Sequence, residues 1–304
     1  GFIGKNVTLT LSKNKNYEIH AVRFKRNAYK TLNNVIWHKA DLRNPKSVNN
    51  LTKNMDIVIQ LAATTSGSKD IVSMPYVHVT DNAIMNSYIL RSCFDNKVKH
   101  FIFTSCTVMY PSSKKATSEN HFTGEILEKY KGVGETKVYI EKISKFFSSL
   151  GVTKHTIIRH SNIYGPHDKY DLDKSHVFGA TITKVMNAKN KLDVWGDGSE
   201  IRDFLYIDDL VSFIKLSIKK QKSFYEIYNC GSGKAISIKK LCSLIVKLSK
   251  KPLKINFNKD KPTIHFDMHL SYKKAKKDLG WQPKISIEDG ITKTIKWWKN
   301  NIAK

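Results

Sequence analysis

Short apolar segments alternate along the chain with longer segments of helical periodicity. The apolar segments are 17–22, 35–42, 55–63, 99–105 and 156–159. Helical periodicity is clearest over 81–96 and 133–149. Apolar strands separated by helices are typical of a parallel sheet whose two faces are both covered. The pattern therefore predicts an α/β fold with a doubly wound parallel sheet, in which ligands bind at the carboxyl ends of the strands.

The first residues of the chain, Gly1-Phe2-Ile3-Gly4, lead directly into a helical segment. Glycines at such a place let the backbone approach a pyrophosphate, whose charge the helix N-terminus attracts. The segment therefore indicates the end of a dinucleotide-binding turn, with Gly1, Phe2, Ile3 and Gly4 against the cofactor.

The end of the first strand bears on the choice of cofactor. Segment 17–22 is followed by Arg23-Phe24-Lys25-Arg26 and by no acidic residue. An acidic residue here would accept a hydrogen bond from a ribose 2′-hydroxyl, whereas basic residues favour a 2′-phosphate. Arg23 therefore points to NADP (NADPH), and the alternative is a solvated basic turn in a basic protein.

Charge narrows the class of partner. Lysine and arginine number 52 against 26 acidic residues, which gives a net charge of +26. Nucleic-acid readers favour arginine, because its planar guanidinium pairs with phosphate and guanine. Only six arginines occur: Arg23, Arg26, Arg43, Arg91, Arg159 and Arg202. We therefore expect no nucleic-acid partner and attribute the charge to a lysine-rich composition, whose positive field would attract an anionic substrate.

The cellular compartment of the protein is inferred from its apolar segments and its cysteines. No apolar run approaches the roughly 18 residues that cross a bilayer, and the start lacks the pattern of a signal peptide. The four cysteines are too few and too scattered for a disulfide framework or a zinc site. We expect a cytoplasmic protein with reduced cysteines, no membrane partner and no metal.

Several motifs carry a family resemblance. The run Asn162-Ile163-Tyr164-Gly165-Pro166-His167-Asp168-Lys169-Tyr170 is followed by Ser175-His176-Val177 and by related motifs at 194–198, 201–209 and 276–283. With these motifs the chain resembles the extended short-chain dehydrogenases/reductases of the NAD-dependent epimerase/dehydratase family, and within it the GDP-L-fucose synthase branch. The resemblance runs from Gly1 to about Trp298, and the family's first strand and first motif glycine would lie upstream of Gly1, missing from the chain.

The resemblance implies an architecture and an activity. A Rossmann-type dinucleotide-binding domain would comprise 1–164 and 205–235, and a smaller nucleotide-sugar-binding α/β part would comprise 165–204 and 236–304. The activity would be NADP-dependent C3/C5 epimerisation and C4 reduction of a GDP-linked keto-deoxy sugar. A UDP- or dTDP-sugar epimerase or dehydratase of the same family is an alternative. Members commonly form homodimers through two helices, here 81–96 and 133–149.

The resemblance also assigns roles to residues. Lys137 would hold the nicotinamide ribose, and His176 would shuttle a proton at the epimerised carbons. The cofactor groove would be lined by Asp41, Leu42, Leu61, Ala62, Ala63 and Asn82. The nucleotide sugar would be contacted by Asn162, Lys184, Trp195 and Arg202.

The proton donor of the family is absent from its usual place. The family uses a tyrosine four residues before the lysine, one helical turn away, to protonate a carbonyl oxygen as hydride arrives. Val133 occupies that position in this chain. Tyr130, seven residues before Lys137, would lie about 10 Å away along a helix axis, so it could serve only with a different local backbone.

Two further positions depart from the family. Cys106 stands where the family has a serine or threonine, and Thr107 or Ser105 could compensate by a shift of one residue. Val108 replaces a cysteine that acts in epimerisation. Two interpretations follow: a divergent enzyme with altered proton donors, or a degenerate member that binds NADP and a nucleotide sugar without turnover. A basic nucleic-acid binder is a third.

Overall fold

Strands and helices alternate throughout the part of the chain that the computed structural model describes, residues 1–25, 27–28, 32–64, 74–260 and 266–303. The helices within these residues are α1 (Phe2–Leu11), α2 (Pro45–Thr52), α3 (Thr80–Asp95), α4 (Lys131–Ser149), α5 (Val177–Asn187), α6 (Ile207–Lys220), α7 (Ile238–Ser249), α8 (Lys273–Leu279) and α9 (Ile287–Asn301). The strands are β1 (Ile19–Arg23), β2 (Val35–Lys39), β3 (Ile57–Gln60), β4 (His100–Thr104), β5 (Lys154–His160), β6 (Asn162–Tyr164), β7 (Lys191–Trp195), β8 (Ile201–Arg202), β9 (Phe204–Tyr206), β10 (Tyr225–Cys230), β11 (Ile236–Ser237) and β12 (Lys254–Asn258).

A four-stranded parallel sheet forms the centre of the molecule. Hydrogen bonds join its strands in the order β10-β5-β4-β3, and β1 pairs in parallel with β2. In register, Ile102 of β4 lies opposite Thr156 of β5, and Ile157 of β5 lies opposite Ile227 of β10. Parallel neighbours need a crossover connection, and α3 and α4 provide it between β3, β4 and β5. The strands and helices predicted from the sequence are confirmed, with small shifts at their ends.

Both faces of this sheet are covered by helices. Successive residues of a strand point to opposite faces, and the neighbours Ile157 and Ile158 show this arrangement. Ile158 belongs to an apolar cluster with Val7 of α1 and with Leu210 of α6. Ile157 belongs to a second cluster with Ile89 of α3 and with side chains of α2 and α4. The fold is therefore the doubly wound α/β arrangement that the sequence predicts.

Shorter strand pairs build the C-terminal part of the chain. β6 pairs with β9 and β7 with β12, both in parallel, and β8 pairs with β11 in the antiparallel sense. Buried side chains of α5, α7 and β7 share one apolar cluster with α1 and α6. Because this cluster spans both parts, the division into two domains stays a prediction. None of the helices in the described ranges is long and apolar enough to cross a bilayer.

A buried ion pair joins the central sheet to α4. Arg159 of β5 donates from Nη2 and Nε to the two carboxylate oxygens of Glu141 at 2.6 and 3.1 Å. Only 4% and 5% of the two side chains are exposed. Nη1 of Arg159 also donates to the Tyr110 hydroxyl at 2.9 Å, and the Ser105 hydroxyl donates to Glu141 at 2.6 Å. Each charge is thus paired and hydrogen-bonded, which offsets the cost of removing it from water.

The substitution Glu141→Gln leaves Arg159 buried without its counter-charge. We expect the free energy of unfolding, measured by urea denaturation, to fall by about 3–5 kcal/mol. Asp95→Asn is the matched control, because Asp95 pairs with Arg91 at 2.8 Å on the exposed surface of α3, and it should cost less than about 1 kcal/mol. Equally small losses in both variants would contradict the importance of the buried pair.

Candidate active site

The carboxyl end of β4 places Lys137 and Cys106 side by side. Nζ of Lys137, on α4, donates to the carbonyl oxygen of Thr104, the last residue of β4, at 2.9 Å. It also lies 4.5 Å from the centroid of the Phe103 ring. An ammonium has three N–H donors, so two remain for a ligand. Burial lowers the pKa of Lys137, while the neighbouring Cys106 and Glu141 act in the opposite direction.

The residues after β4 include the candidates for the position at which the family has a serine or threonine. Cys106 and Thr107 are half-buried there. Burial raises the pKa of the Cys106 thiol, whereas the charge of Lys137 lowers it. Ser105 is buried, and its hydroxyl donates to Glu141. Because Ser105 is committed to the buried ion pair, Cys106 and Thr107 are the candidates that face the site.

Tyr130 lies at the N-terminal end of the helix that carries Lys137. The 3-10 turn Glu128–Tyr130 leads directly into α4, and the Tyr130 ring packs edge-on against Phe266 with 5.5 Å between centroids. Burial raises the pKa of Tyr130, the charge of Arg202 lowers it, and Cys106 raises it. The hydroxyl of Tyr130 is therefore within electrostatic reach of both Arg202 and Cys106.

Sequence reasoning missed His160, the last residue of β5. Its Nδ1 lies 2.8 Å from the carbonyl oxygen of Ser161. A carbonyl can only accept, so Nδ1 carries the proton and Nε2 of the neutral ring carries a lone pair. The pKa of His160 is lowered to about 4, mainly by burial, with Lys137 and His176 acting in the same direction. Its place at a carboxyl strand end, two residues before Asn162, is the signal that could have identified it.

His176 stands immediately before α5 and keeps an exposed surface. Burial nevertheless lowers its pKa, and the charge of Lys169 contributes in the same direction. Lys137 and His160 are half-buried. Lys137 is near enough to Cys106 and to His160, and His176 is near enough to His160, for their charges to influence one another's pKa. The structure thus groups Lys137, Cys106, His160 and His176, three of them predicted from the sequence.

Asp203 holds the strands that carry two predicted substrate residues. Its buried carboxylate accepts three backbone hydrogen bonds, at 2.8, 3.2 and 3.0 Å, from Ser232, Gly233 and Leu270. Its carbonyl oxygen accepts from the Asn162 side-chain amide at 3.1 Å. Arg202, the preceding residue, donates to the carbonyl oxygen of Phe266. Asp203 thus links the Asn162 side chain, through its carbonyl oxygen, to the loops of Ser232 and Leu270, which its carboxylate holds, and Arg202 is its neighbour in the chain.

Lys184 and Trp195 form a cluster of their own. Nζ of Lys184 lies 5.7 Å from the Trp195 ring centroid and donates to the carbonyl oxygen of Asp193 at 3.1 Å. Trp195 is 55% exposed. A cavity of about 300 Å³ adjoins the cluster and is lined by Lys184, Asn187, Ala188, Lys191, Leu192 and Asp193. A cation beside an exposed aromatic face is suited to a phosphate and a stacked base.

A larger cavity lies elsewhere in the molecule. It measures about 420 Å³ and is lined by Asp208, Asp209, Ser212, Leu216, Gly280, Trp281, Gln282, Lys284 and Ile285. None of these residues belongs to the predicted site, so cavity size does not identify the chemistry here.

Two glycines lie at the N-terminal end of α1. Gly1 is the N-cap of this helix, and a side chain added at Gly1 or Gly4 would meet no atom within 4 Å. Asn6 anchors this end, because its amide donates to the carbonyl oxygen of Pro166 at 2.9 Å. The first turn of a helix offers N–H groups to an anion, so the segment fits the pyrophosphate of a dinucleotide.

Polar contacts link the loops that follow β2 and β3. Arg43 pairs with Asp41 at 2.7 Å and with Asp81, at the start of α3, at 3.2 Å. The hydrogen bond to Arg43 lowers the pKa of Asp41 to about 2. Asp81 in turn accepts from the Thr64 hydroxyl at 3.4 Å. Through Arg43, Asp81 and Thr64, Asp41 is connected to the loop of Leu61-Ala62-Ala63, with which it is predicted to line the cofactor groove.

Asn82 shapes the same loop. Both N–H donors of its buried amide are used, at 3.0 Å to the carbonyl oxygen of Thr64 and at 2.7 Å to that of His78. Its amide oxygen accepts from the backbone N–H of Thr64 at 3.0 Å. Asn82 therefore positions the end of β3, and its direct contact with a cofactor stays a prediction.

A cationic side chain ends β1, as the sequence indicates. Arg23 is half-buried and lies opposite Lys39 of β2. The charge of Lys25 is near enough to Asp41 to contribute to its lowered pKa. Arg26, the other predicted cation, lies outside the described residues. Basic residues therefore lie at the carboxyl end of β1, and the preference for NADP stays a prediction.

The doubly wound fold is that of a dinucleotide-binding α/β protein. Its candidate site is the group of Lys137, Cys106, His160 and His176, with Lys137 at the carboxyl edge of the sheet. The sequence profile of the NAD dependent epimerase/dehydratase family matches residues 1–231. The chain belongs to this family, as predicted.

Individual relatives agree with this assignment. The chain is 25% identical to the GDP-L-colitose synthase of Yersinia pseudotuberculosis over 309 residues, 99% of this chain and 96% of that protein. It is 30% identical to the GDP-L-fucose synthase of Sinorhizobium fredii over 281 residues, 87% of this chain and 86% of that protein. The Bacillus cereus UDP-glucuronic acid 4-epimerase, solved with UDP-glucuronic acid and NAD, aligns with a TM-score of 0.86 at 25% identity, covering 99% of this chain and 96% of that one.

We expect His160 to be neutral at pH 7 as the Nδ1–H tautomer and to gain a proton only near pH 4. Its folded pKa is below the unfolded value of about 6.5, so its contribution to stability is lost as pH falls from about 6.5 toward the folded value. Nitrogen chemical shifts of the histidine rings, assigned with His160→Gln, measure both tautomer and titration. A midpoint near the unfolded value, or a proton on Nε2, would contradict the assignment.

Proposed function

We propose that the chain is an NADP-dependent nucleotide-sugar epimerase and reductase that acts on GDP-4-keto-6-deoxymannose by C3/C5 epimerisation and C4 reduction. The observation that carries the proposal is the grouping of Lys137, Cys106 and His160 at the carboxyl ends of β4 and β5 with His176 at the start of α5. The similarity to a GDP-L-colitose synthase and a GDP-L-fucose synthase supports the choice of a GDP-linked sugar.

The edge of the sheet would hold the cofactor along its length. Gly1 and Gly4 would face the pyrophosphate, and Asp41 and the loop 61–63 would line the adenosine half of the groove. Lys137 would donate its two remaining N–H groups to the nicotinamide ribose while Thr104 fixes the third. A bound NADPH would supply the hydride for C4.

His176 would move protons at C3 and C5. A C–H group next to a ketone is acidic enough for a side-chain base to remove its proton. Burial and Lys169 lower the pKa of His176, so the neutral, proton-accepting ring prevails at neutral pH. Nε2 of His160 offers a second acceptor in the same cleft.

Cations and an aromatic face would bind the nucleotide. Arg202 can pair with two phosphate oxygens at once, and Lys184 lies beside the exposed Trp195 ring. Asn162 would complete the sugar side. A UDP- or dTDP-linked sugar remains the alternative substrate, and the structural likeness to a UDP-glucuronic acid 4-epimerase favours keeping it in the test.

One observation favours a second candidate function, binding without turnover. Val133 stands where the family has its tyrosine, and valine has no proton to donate. A degenerate member would bind NADP and a nucleotide sugar through the same groove. Turnover distinguishes the two functions.

Two helices support a homodimer. α3 and α4 pack together, and Ile84, Tyr88, Tyr139 and Phe146 on them are 38%, 37%, 45% and 59% exposed. Several large apolar side chains exposed on adjacent helices are typical of an interface. We propose that a second copy of the chain covers these side chains.

We also propose that the chain divides into a cofactor-binding domain, 1–164 with 205–235, and a substrate-binding part, 165–204 with 236–304.

Oxidation of NADPH with GDP-4-keto-6-deoxymannose, followed by absorbance, tests the activity. We expect turnover in the wild type and a loss of about 10²-fold in kcat/KM for Lys137→Ala, since a misplaced cofactor reacts slowly. Lys142→Ala, on the exposed face of the same helix, is the control and should leave the rate unchanged. Binding of NADPH without turnover would favour the degenerate binder, and turnover only with a UDP- or dTDP-linked sugar would change the substrate.

Affinities for NADP and NAD test the cofactor choice. We expect Arg23→Ala to weaken NADP binding by about 10-fold or more, the equivalent of one charged hydrogen bond of about 1.5 kcal/mol or more, and to leave NAD binding nearly unchanged. Fluorescence titration measures both dissociation constants. Lys13→Ala, exposed beyond the end of α1, controls for a general loss of positive charge. Equal losses for the two cofactors would argue against a 2′-phosphate at Arg23.

A further inference from the structure

We propose that the Tyr130 hydroxyl supplies the proton that Val133 cannot, so that the acid of the C4 reduction comes from the turn before α4. The inference rests on the proposed function and names a catalytic residue for it. Three observations carry it: where the Tyr130 side chain is held, which groups surround its hydroxyl, and which other phenol near the site is already engaged.

The backbone holds Tyr130 at the start of the helix that carries Lys137. Its N–H donates to the carbonyl oxygen of Leu127 at 2.7 Å, which closes the 3-10 turn. Tyr130 is the N-cap of α4, and Lys137 lies nearly two helical turns further along the same helix. Side chains of a helix lean toward its N-terminus, which directs Lys137 toward Tyr130 and shortens the axial separation.

The Tyr130 ring is anchored beside the substrate cations. It packs edge-on against Phe266 at 5.5 Å, and the carbonyl oxygen of Phe266 accepts from Arg202. Cys106 and Arg202 both influence Tyr130 electrostatically, and Cys106 also influences Lys137. The Tyr130 ring is therefore held on Phe266, next to the cation assigned to the diphosphate and within electrostatic reach of Cys106.

The other phenol near the site is already engaged. The Tyr110 hydroxyl donates to Oδ1 of Asn229 at 2.8 Å and accepts from Arg159 at 2.9 Å within the buried network. The thiol of Cys106 is a weaker hydrogen-bond donor than a phenol. Tyr130 is thus the stronger candidate for the donor.

The charge state of Tyr130 suits an acid. Burial raises the pKa of Tyr130, so the hydroxyl is protonated at neutral pH. In the reduction, a bound NADPH would supply the hydride for the new C–H bond at C4, and the carbonyl π pair would move to oxygen. That oxygen takes the proton of Tyr130 and becomes a hydroxyl. The resulting phenolate is stabilised by Arg202 and regains a proton from water.

Tyr130→Phe removes the hydroxyl and keeps the ring on Phe266. We expect kcat for NADPH oxidation to fall about 10²–10⁴-fold, the usual effect of removing a positioned acid. The dissociation constant of NADPH and the melting temperature should stay unchanged, which separates a lost proton donor from lost packing. Tyr17→Phe, at an exposed tyrosine outside the site, is the matched control.

Val133→Tyr in the Tyr130→Phe background provides a second variant. If the hydroxyl is what is missing, a tyrosine one turn from Lys137 should restore at least 10% of the wild-type kcat, a threshold set from the size of the acid effect of about 10²-fold or more. A merely structural role of Tyr130 would not be rescued from position 133.

The outcomes separate this inference from the proposed function. A wild type that turns over while Tyr130→Phe retains its kcat within about threefold, well inside the acid effect, would overturn the role of Tyr130 and leave the function standing. A wild type that binds NADPH without turnover overturns both the reductase and its donor. A wild type that binds no NADPH removes the cofactor assignment itself.

Discussion

The pairing of Arg159 with Glu141 positions the two elements that carry the cleft. Arg159 lies on β5 one residue before His160, and Glu141 lies on α4 one turn after Lys137. Two buried charges are tolerated only when both are paired and hydrogen-bonded, and this requirement makes their geometry demanding. The pair therefore sets the separation of strand and helix, and with it the approach of Lys137 to the end of β4. The residues proposed for catalysis are half-buried or exposed, whereas the ion pair that positions them is buried.

Asp203 has the corresponding role on the substrate side. Its carboxylate collects backbone N–H groups from loops that are distant in sequence, and its carbonyl oxygen holds the Asn162 amide. Arg202 is the residue before Asp203, at the end of β8. The Arg159–Glu141 pair thus positions the residues proposed to bind the cofactor and transfer protons, and Asp203 positions the residues proposed to bind the nucleotide.

Local pattern was sufficient for the strands, the helices and the edge of the sheet where ligands bind, because periodicity and strand ends are encoded within short segments. Local pattern was insufficient to predict side-chain hydrogen bonds and contacts between residues that are distant in the sequence. Ser105 was an open alternative until the structure showed its hydroxyl on Glu141. Tyr130 lies about 10 Å from Lys137 along the helix axis, and its packing on Phe266 and its electrostatic interaction with Cys106 arise from contacts between distant parts of the chain. His160 was indistinguishable in sequence from the other histidines, since its tautomer depends on one carbonyl oxygen.

The lysine-rich composition has a specific consequence inside the cleft. A basic surface is otherwise an argument about solubility and attraction of anions, not about fold. Here Lys137 and Lys169 are near enough to His160 and His176 to favour their neutral forms, in addition to the larger effect of burial. A neutral imidazole can accept a proton, whereas an imidazolium cannot. The same excess of positive charge that would draw a nucleotide diphosphate to the site therefore also keeps its histidines in the proton-accepting state.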